Sequence, residues 1–398
     1  MGGLRAELWR FGYGSRSGDK WAGRGGPALP ILIPYPRFDI GDWRGWRKWG
    51  RITAVLKTRH EISALDAPEK FREALARWFG TNGKDYPWRR TRVPYEVLIS
   101  EVMLQQTQIA TVLGKGYYTR FLAVFPDVET LAVAEDAPLL KAWEGLGYYR
   151  RARMLRETAR AVVAEYGGEF PTGLEDLMRL PGIGRYTAGA LRAFAFGLPA
   201  VVVDGNVSRV LSRLMDCAEP IDDGVGIKRV WGWAADLADA ERPSVYHAAL
   251  MELGQSVCRP GVPDCLACPV SGFCKASAPE LLPIKRGKVS ITTVDEHALW
   301  LRDGAGRLLM HHESGKRRTG LWKLPIREFT EVQHLPLLTE QRYAITRYRV
   351  TLRVYDGNAA ESACQLTTGD AWVEPDEVSV LAMAAPFRRV VEEWLSDF

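Results

Sequence analysis

Between Leu180 and Leu214 the chain reads LPGIGRYTAGALRAFAFGLPAVVVDGNVSRVLSRL, a run that few backbones satisfy. Pro181-Gly182-Ile183-Gly184 follows a helix-like end and forms a turn. Both of its glycines can take positive φ without a Cβ clash. A helix is predicted from Tyr186 to Phe196, with small residues at Ala188, Gly189 and Ala190. A short turn ahead of a helix leaves backbone N–H groups pointing outward at the positive end of the dipole, a seat for a phosphate. Asp204 then stands between the apolar Val201-Val202-Val203 and a helix beginning near Asn206. Each feature alone has a plain explanation: glycines that join two helices, and an aspartate that caps the next one. Their combination in one short stretch is more specific.

The chain has 398 residues, enough for two to three domains, and 46% hydrophobic content with 14 Trp supports packed cores. No run of 18 apolar residues and no signal-peptide pattern occurs, so neither a membrane span nor secretion is expected and a cytosolic location is. The net charge of +5 is uneven: residues 1–60 hold 12 Lys/Arg against 4 Asp/Glu, and the other 338 hold 41 against 44. A nucleic-acid surface in the body must therefore be a local patch. In residues 1–60, Trp43, Trp46 and Trp49 alternate with Arg44, Arg47 and Lys48. This segment is expected to be an extension without fixed order, or upstream sequence translated from a start placed too early.

Order is predicted from Asp66, with Pro68 opening a helix on which Phe71, Leu75, Trp78 and Phe79 share a spacing. Tyr86-Pro87-Trp88-Arg89 reads as a turn. Tyr95 to Leu113 reads as one helix whose core stripe is Tyr95, Leu98, Ile99, Val102, Ile109 and Leu113, with Gln105 and Gln108 on the face of Glu101. Periodicity alone places Glu101 on an exposed helix edge. If buried instead, its pKa rises and it can give up a proton near neutral pH. After the turn Glu144–Tyr149, a long helix carries Arg150, Arg151, Arg153, Arg156 and Arg160 to a Gly167-Gly168 cap. Those arginines fit either a phosphate track or a solvated face. Tyr148, on a glycine turn, fits either a base wedge or a packing tyrosine.

Helices at about 225–238 and 243–256 lead to Cys258, Cys265, Cys268 and Cys274, spaced C-x6-C-x2-C-x5-C. Structural zinc sites pair their ligands in short knuckles, and only one such pair is present. Four thiolates in 17 residues suit a [4Fe–4S] cube, although ferredoxin-type runs are spaced differently. Residues 276–290 read as a linker, after which the pattern alternates in the strand manner over Ile291–Leu301, Arg307–His312 and Tyr343–Tyr355. A helix over Pro386–Phe398 closes a separate α+β domain.

PWRR (87–90), SEVMLQQTQ (100–108), WEGLGYYRRAR (143–153), LPGIGRYTAGA (180–190), VDGNVSRVLSRL (203–214) and the cysteine spacing occur in one order. On these the chain resembles the MutY family, helix-hairpin-helix adenine DNA glycosylases acting on adenine mispaired with guanine or 8-oxoguanine. The resemblance covers about Asp66 to Leu395. It implies a mainly α catalytic region of two helical lobes with an iron–sulfur cluster, and a C-terminal α+β domain of Nudix-like shape. The domains are then a basic extension (1–60), the glycosylase region (61–275), a linker (276–290) and a lesion-recognition domain (291–398).

The resemblance also implies roles. Glu101 is the general acid for N7 of an extruded adenine, and Asp204 stabilises the sugar cation, with Asn206 beside it. Tyr186 stands where endonuclease III-type relatives carry a catalytic lysine, so a monofunctional enzyme is expected. Arg89 lines the adenine pocket, Gln106 and Tyr148 fill or wedge the duplex, and Gly182 and Gly184 form the DNA-binding hairpin. Cys258, Cys265, Cys268 and Cys274 hold a [4Fe–4S] cluster. The partner is double-stranded DNA carrying A:8-oxoG or A:G pairs, met by a monomer in the bacterial cytoplasm at the nucleoid. Three departures stand out. Ile345-Thr346-Arg347 replaces the family's Phe-Ser-His lesion-reading loop, leaving Thr346 as its one hydroxyl. The loop between Cys258 and Cys265 has only Arg259 as a base, against Asp264, and residues 1–60 have no counterpart. The competing readings are a thymine or uracil mismatch glycosylase, and a non-catalytic iron–sulfur DNA-binding protein.

Overall fold

The computed structural model of the chain describes residues 65–287, 290–315, 318–359 and 366–395. They belong to one compact unit, Glu61–Phe398. The expectation for residues 1–60 lies outside the described residues. Among the described residues, no helix is long and apolar enough to cross a membrane.

Helices fill the first two thirds. They are α1 (Pro68–Asn82), α2 (Pro94–Met103), α3 (Ile109–Gly114), α4 (Tyr117–Val124), α5 (Val128–Ala132), α6 (Asp136–Ala142) and α7 (Arg150–Tyr166). Then come α8 (Leu174–Arg179), α9 (Arg185–Ala190) continuing as a π turn over Leu191–Ala195, α10 (Gly205–Leu214), α11 (Gly224–Leu237) and α12 (Pro243–Ser256). Proline at the first turn starts α1, α2 and α12, where its missing N–H removes nothing. Left-handed Gly167 ends α7, its N–H returning to the Val162 carbonyl.

These helices bury two separate apolar cores. One gathers α2 to α9, around Tyr95, Ile99, Phe121, Trp143 and Leu155. The other joins Phe71 and Leu75 of α1 to Val210, Leu211, Ala249, Leu250 and Leu253 from the far end of the helical region.

The single helix expected over Tyr95–Leu113 is instead two. After Met103 the chain leaves helical geometry, Gln106 takes φ 60°, and α3 restarts at Ile109. The carbonyls of Val102, Met103 and Gln105 turn to the guanidinium of Arg151. An interior helix would send such groups to amides four residues on. Leu113, placed on the core stripe by periodicity, is consequently exposed. In the hairpin between α8 and α9, Gly182 uses its freedom at φ 77°, whereas Gly184 sits at φ −91° in ordinary extended backbone. Glycine at 189 serves a close approach, since a Cβ there would lie 2.3 Å from the Val201 carbonyl oxygen.

The last third is sheet with two helices. A four-stranded sheet has the order β4 (Ile326–Arg327), β1 (Thr292–Trp300), β6 (Tyr348–Asp356), β5 (Leu337–Ile345), with β1 and β6 parallel. A three-stranded antiparallel sheet has the order β3 (Trp322–Lys323), β2 (Leu308–His312), β7 (Asp370–Val373). The short α13 (Phe329–Val332) follows β4, and α14 (Ala385–Leu395) buries Phe387, Val390 and Val391 against Trp300, Met310, Leu352 and Val354. The strand expected over Tyr343–Tyr355 is a hairpin: β5 and β6 pair antiparallel up to Ile345 and Tyr348, and Thr346 turns the chain at φ 50°.

The segment read as a linker is tied to the helices. Ile221 donates to the Ile284 carbonyl at 3.1 Å, Arg213 to that of Leu282, and Arg286 pairs with Asp223. Leu140 and Tyr149 belong to the same apolar core as the sheets, so helices and strands share an interior.

Candidate active site

A cavity of about 1040 Å³ opens between the two helical cores. Its walls come from the 86–92 turn, the α2–α3 break, α9, the start of α10 and one face of α12. Glu101, from the last turn of α2, is only 8% exposed. This overturns the exposed edge that periodicity suggests, because Tyr186 from α9 covers it and donates its hydroxyl to Oε2 at 2.7 Å. Burial pushes the Glu101 carboxyl up to about 7, offset in part by the Tyr186 hydrogen bond and raised further by Asp204. Burial also holds the Tyr186 phenol well above its ordinary value.

Asp204 does cap α10, accepting from the Val207 N–H at 2.7 Å through Oδ1. Its other oxygen accepts from Asn206 Nδ2 at 2.9 Å. Burial raises the Asp204 pKa, while those two bonds and the charge of Arg209 oppose the rise. Capping and cavity-lining are thus one geometry. Asn206 Oδ1 in turn receives Arg209 Nη2 at 2.9 Å, and Arg209 Nε reaches the Cys258 carbonyl at 2.9 Å.

Arg89 lines the cavity beneath Tyr86 and Phe79, its guanidinium 4.6 and 5.2 Å from their ring centres. It pairs at 2.9 Å with Glu252 of α12, which is 1% exposed. Sequence reasoning missed Glu252. Ala248, Met251, Glu252 and Gln255 form one helical stripe, the same acid-in-an-apolar-stripe signal that Glu101 carries.

Gln105, Gln106 and Gln108 all line the cavity, on an irregular loop and not on one helical face. Tyr148, 41% exposed, sits at φ 48° on the turn before α7. Four of the α7 arginines have partners within the protein, and Arg150 is exposed. Arg151 holds carbonyls, Arg153 and Arg156 pair with Asp136, and Arg160 reaches Glu157 and the Ala132 carbonyl. Gly182 and Gly184 lie on the exposed hairpin loop, outside the cavity lining, and Thr346 lies at an exposed hairpin tip in the sheet region.

Cys258, Cys265, Cys268 and Cys274 line one cavity of about 160 Å³ just past α12. Among the described residues, no three His, Cys, Asp or Glu side chains gather as a single metal ion requires. The donor set suits a thiolate-ligated cluster: four sulfurs around one space, with Arg213 Nη1 3.3 Å from Cys258 Sγ to balance negative charge.

Residues 99–225 match the family described as HhH-GPD superfamily base excision DNA repair protein. The human adenine DNA glycosylase is 45% identical over 234 residues, covering 56% of this chain and 42% of that protein. The Arabidopsis thaliana adenine DNA glycosylase is 40% identical over 242 residues, covering 54% of this chain and 38% of that protein. A solved structure described as a thermostable thymine-DNA glycosylase is 31% identical, covering 53% of this chain and 98% of that one, at a TM-score of 0.48. The chain spans about half the length of the curated relatives it matches. Over the matched residues, the chain is similar to this superfamily and to adenine DNA glycosylases within it.

Proposed function

We propose that this chain excises adenine mispaired with 8-oxoguanine or guanine in double-stranded DNA by hydrolysing the N-glycosidic bond. The observation that carries the reading is the buried Glu101 carboxyl, held by Tyr186 in a cavity that also receives Asp204. A carboxyl with a pKa of about 7 is substantially protonated at neutral pH and can deliver that proton to N7 of an extruded adenine. The C1′–N9 bond then breaks, and the electron pair leaves with the base. Asp204, fixed by the Val207 N–H and by Asn206, faces the oxocarbenium-like sugar and stabilises it. Water adds at C1′ and surrenders a proton, so the products are adenine and an abasic site. Tyr186 offers a hydroxyl and no amine, so no Schiff base forms and the strand stays intact.

Arg89, held by its buried partner Glu252, borders the base pocket. Gln106 and Tyr148 enter the duplex at the lesion pair, and the hairpin turn at Gly182 and Gly184 meets a phosphate. The four cysteines hold a [4Fe–4S] cluster that ties the chain beyond α12 to the helices. Residues 291–398 form a Nudix-like lesion-recognition domain, with Thr346 at the β5–β6 tip as its contact. A monomer in the bacterial cytoplasm, working at the nucleoid, completes the reading.

The test is single-turnover excision from A:8-oxoG, A:G, T:G and U:G duplexes by wild type and Glu101→Gln. Wild type should act on the two adenine pairs and leave the strand uncut until alkali is added. Glu101→Gln should lose excision while still binding the mispair. Preferred action on T:G or U:G, or a Glu101→Gln protein within about tenfold of wild type, would refute the assignment.

A further inference from the structure

Gln106 and Tyr148 are both non-glycine residues in the left-handed region, at φ 60° and 48°. Such conformations persist only where surrounding contacts enforce them. The two residues lie on different segments, one in the break between α2 and α3, the other on the turn before α7. One side chain reaches both segments. Through Nη1, Arg151 donates to the carbonyls of Val102 at 2.8 Å and Met103 at 3.1 Å, and to that of Gln105. Through Nη2 it donates to the carbonyls of Leu146 at 2.9 Å and Gly147 at 3.2 Å.

Two of these acceptors matter most. The Gln105 carbonyl belongs to the peptide plane that ends at the Gln106 nitrogen, and the Gly147 carbonyl to the plane that ends at the Tyr148 nitrogen. Each left-handed φ is a rotation away from a plane held by the same guanidinium. Its carbon also lies 5.5 Å from the centre of the Tyr148 ring, so the side chain as well as the backbone is set.

We propose that Arg151 is a positioning residue that sets Gln106 and Tyr148 together for entry into the duplex, so that base extrusion depends on a contact made outside the cavity. This rests on the reading that Gln106 and Tyr148 enter DNA. Only arginine suits the post. Its planar fork carries five donors and serves both segments at once, whereas a lysine ammonium is a point donor that reaches one of them.

Arg151→Lys keeps the charge and removes the fork. The full chain would be compared with wild type, Gln106→Ala and Tyr148→Ala in two measurements. One is the fluorescence rise of 2-aminopurine placed beside the target adenine of an A:8-oxoG duplex. The other is single-turnover excision from that duplex and from a duplex whose adenine is bulged and already unstacked. Arg151→Lys should lose most of the fluorescence rise and slow excision from the paired duplex about tenfold or more, while staying within about threefold on the bulged one.

A wild-type fluorescence rise in Arg151→Lys, with a reduced rise in Gln106→Ala and Tyr148→Ala, would overturn the proposal alone. A wild-type rise in all three would remove the reading beneath it as well. Equal slowing on both duplexes together with a lower thermal midpoint would assign Arg151 a merely structural part and also overturn the proposal.

Discussion

A carboxyl at position 101 meets Tyr186 on one side and Asp204 nearby, and burial makes its charged form costly. Two consequences follow at the scale of this residue. In the proposed reaction the acid must be protonated to act, so single-turnover excision should fall about tenfold per unit as pH rises above 7, measured as a rate–pH profile. The second concerns stability. The folded-state pKa, about 7, lies above the 4.5 of an ordinary glutamate, so the folded form binds this proton more tightly than the unfolded one. The stability contributed is present below pH 4.5 and is lost as pH rises through 7, on the order of 3 kcal/mol in all. Glu101→Gln should abolish that loss, so urea midpoints of variant and wild type should diverge in the variant's favour between pH 5 and 8. Glu101 was only half legible in the sequence: the apolar stripe was plain, but the covering Tyr186 lies 85 positions on. Asp204 was more legible, because its cap is local and the residues that need it follow directly.

Among the elements, the turn between α6 and α7 is gripped from the sheet region. Glu144 accepts from Arg388 at 2.6 Å and from Lys141 at 2.9 Å, and Tyr149 donates to the Met383 carbonyl at 2.8 Å. Arg388→Met leaves Glu144 with Lys141 as its basic partner. It should cost about 2 kcal/mol in urea unfolding and loosen Tyr148, visible as faster proteolysis within residues 144–150. An unchanged digestion pattern would show that the turn holds itself. The two elements that the sequence misplaced each carry a short lapse in an otherwise regular pattern. The apolar stripe from Tyr95 to Leu113 lapses only over the polar Gln105–Gln108, and the carbonyls freed there turn to Arg151, a side chain from another segment. The alternation from Tyr343 to Tyr355 changes phase at the β5–β6 turn, from Tyr343 and Ile345 to Tyr348, Val350, Leu352 and Val354. Local pattern records which residues face a core, and a short lapse marks where the backbone bends only once its partners are known.

At the scale of the molecule, the cysteine cluster and the shared core set the limits of what can be removed. Protein prepared without oxygen should contain about four irons per chain and absorb broadly near ~400 nm, and Cys265→Ser should cost soluble yield before it costs chemistry. One zinc and no iron by metal analysis would refute this. Cutting away residues 291–398 would expose Leu140, which is fully buried in the core shared with the sheets. The two-lobed helical plan was legible because its motifs are short and local. The joint between helices and sheets was not, because it depends on Leu140 and Tyr149, which read as ordinary residues of their own helices.

The pairing of α1 with α10 and α12 has a consequence for synthesis. Phe71 and Leu75 are fully buried, but against Val210, Leu211, Leu250 and Leu253, residues made much later. At 5–20 residues per second, α1 leaves the ribosome roughly 7 to 26 s before the first of these partners, about 130 residues behind it. Over that interval its apolar face has no native cover, while the lobe encoded between them already has every residue it needs. The nascent chain should therefore complete its middle first and close its ends last, with a ribosome-associated chaperone finding its natural footing on residues 68–82.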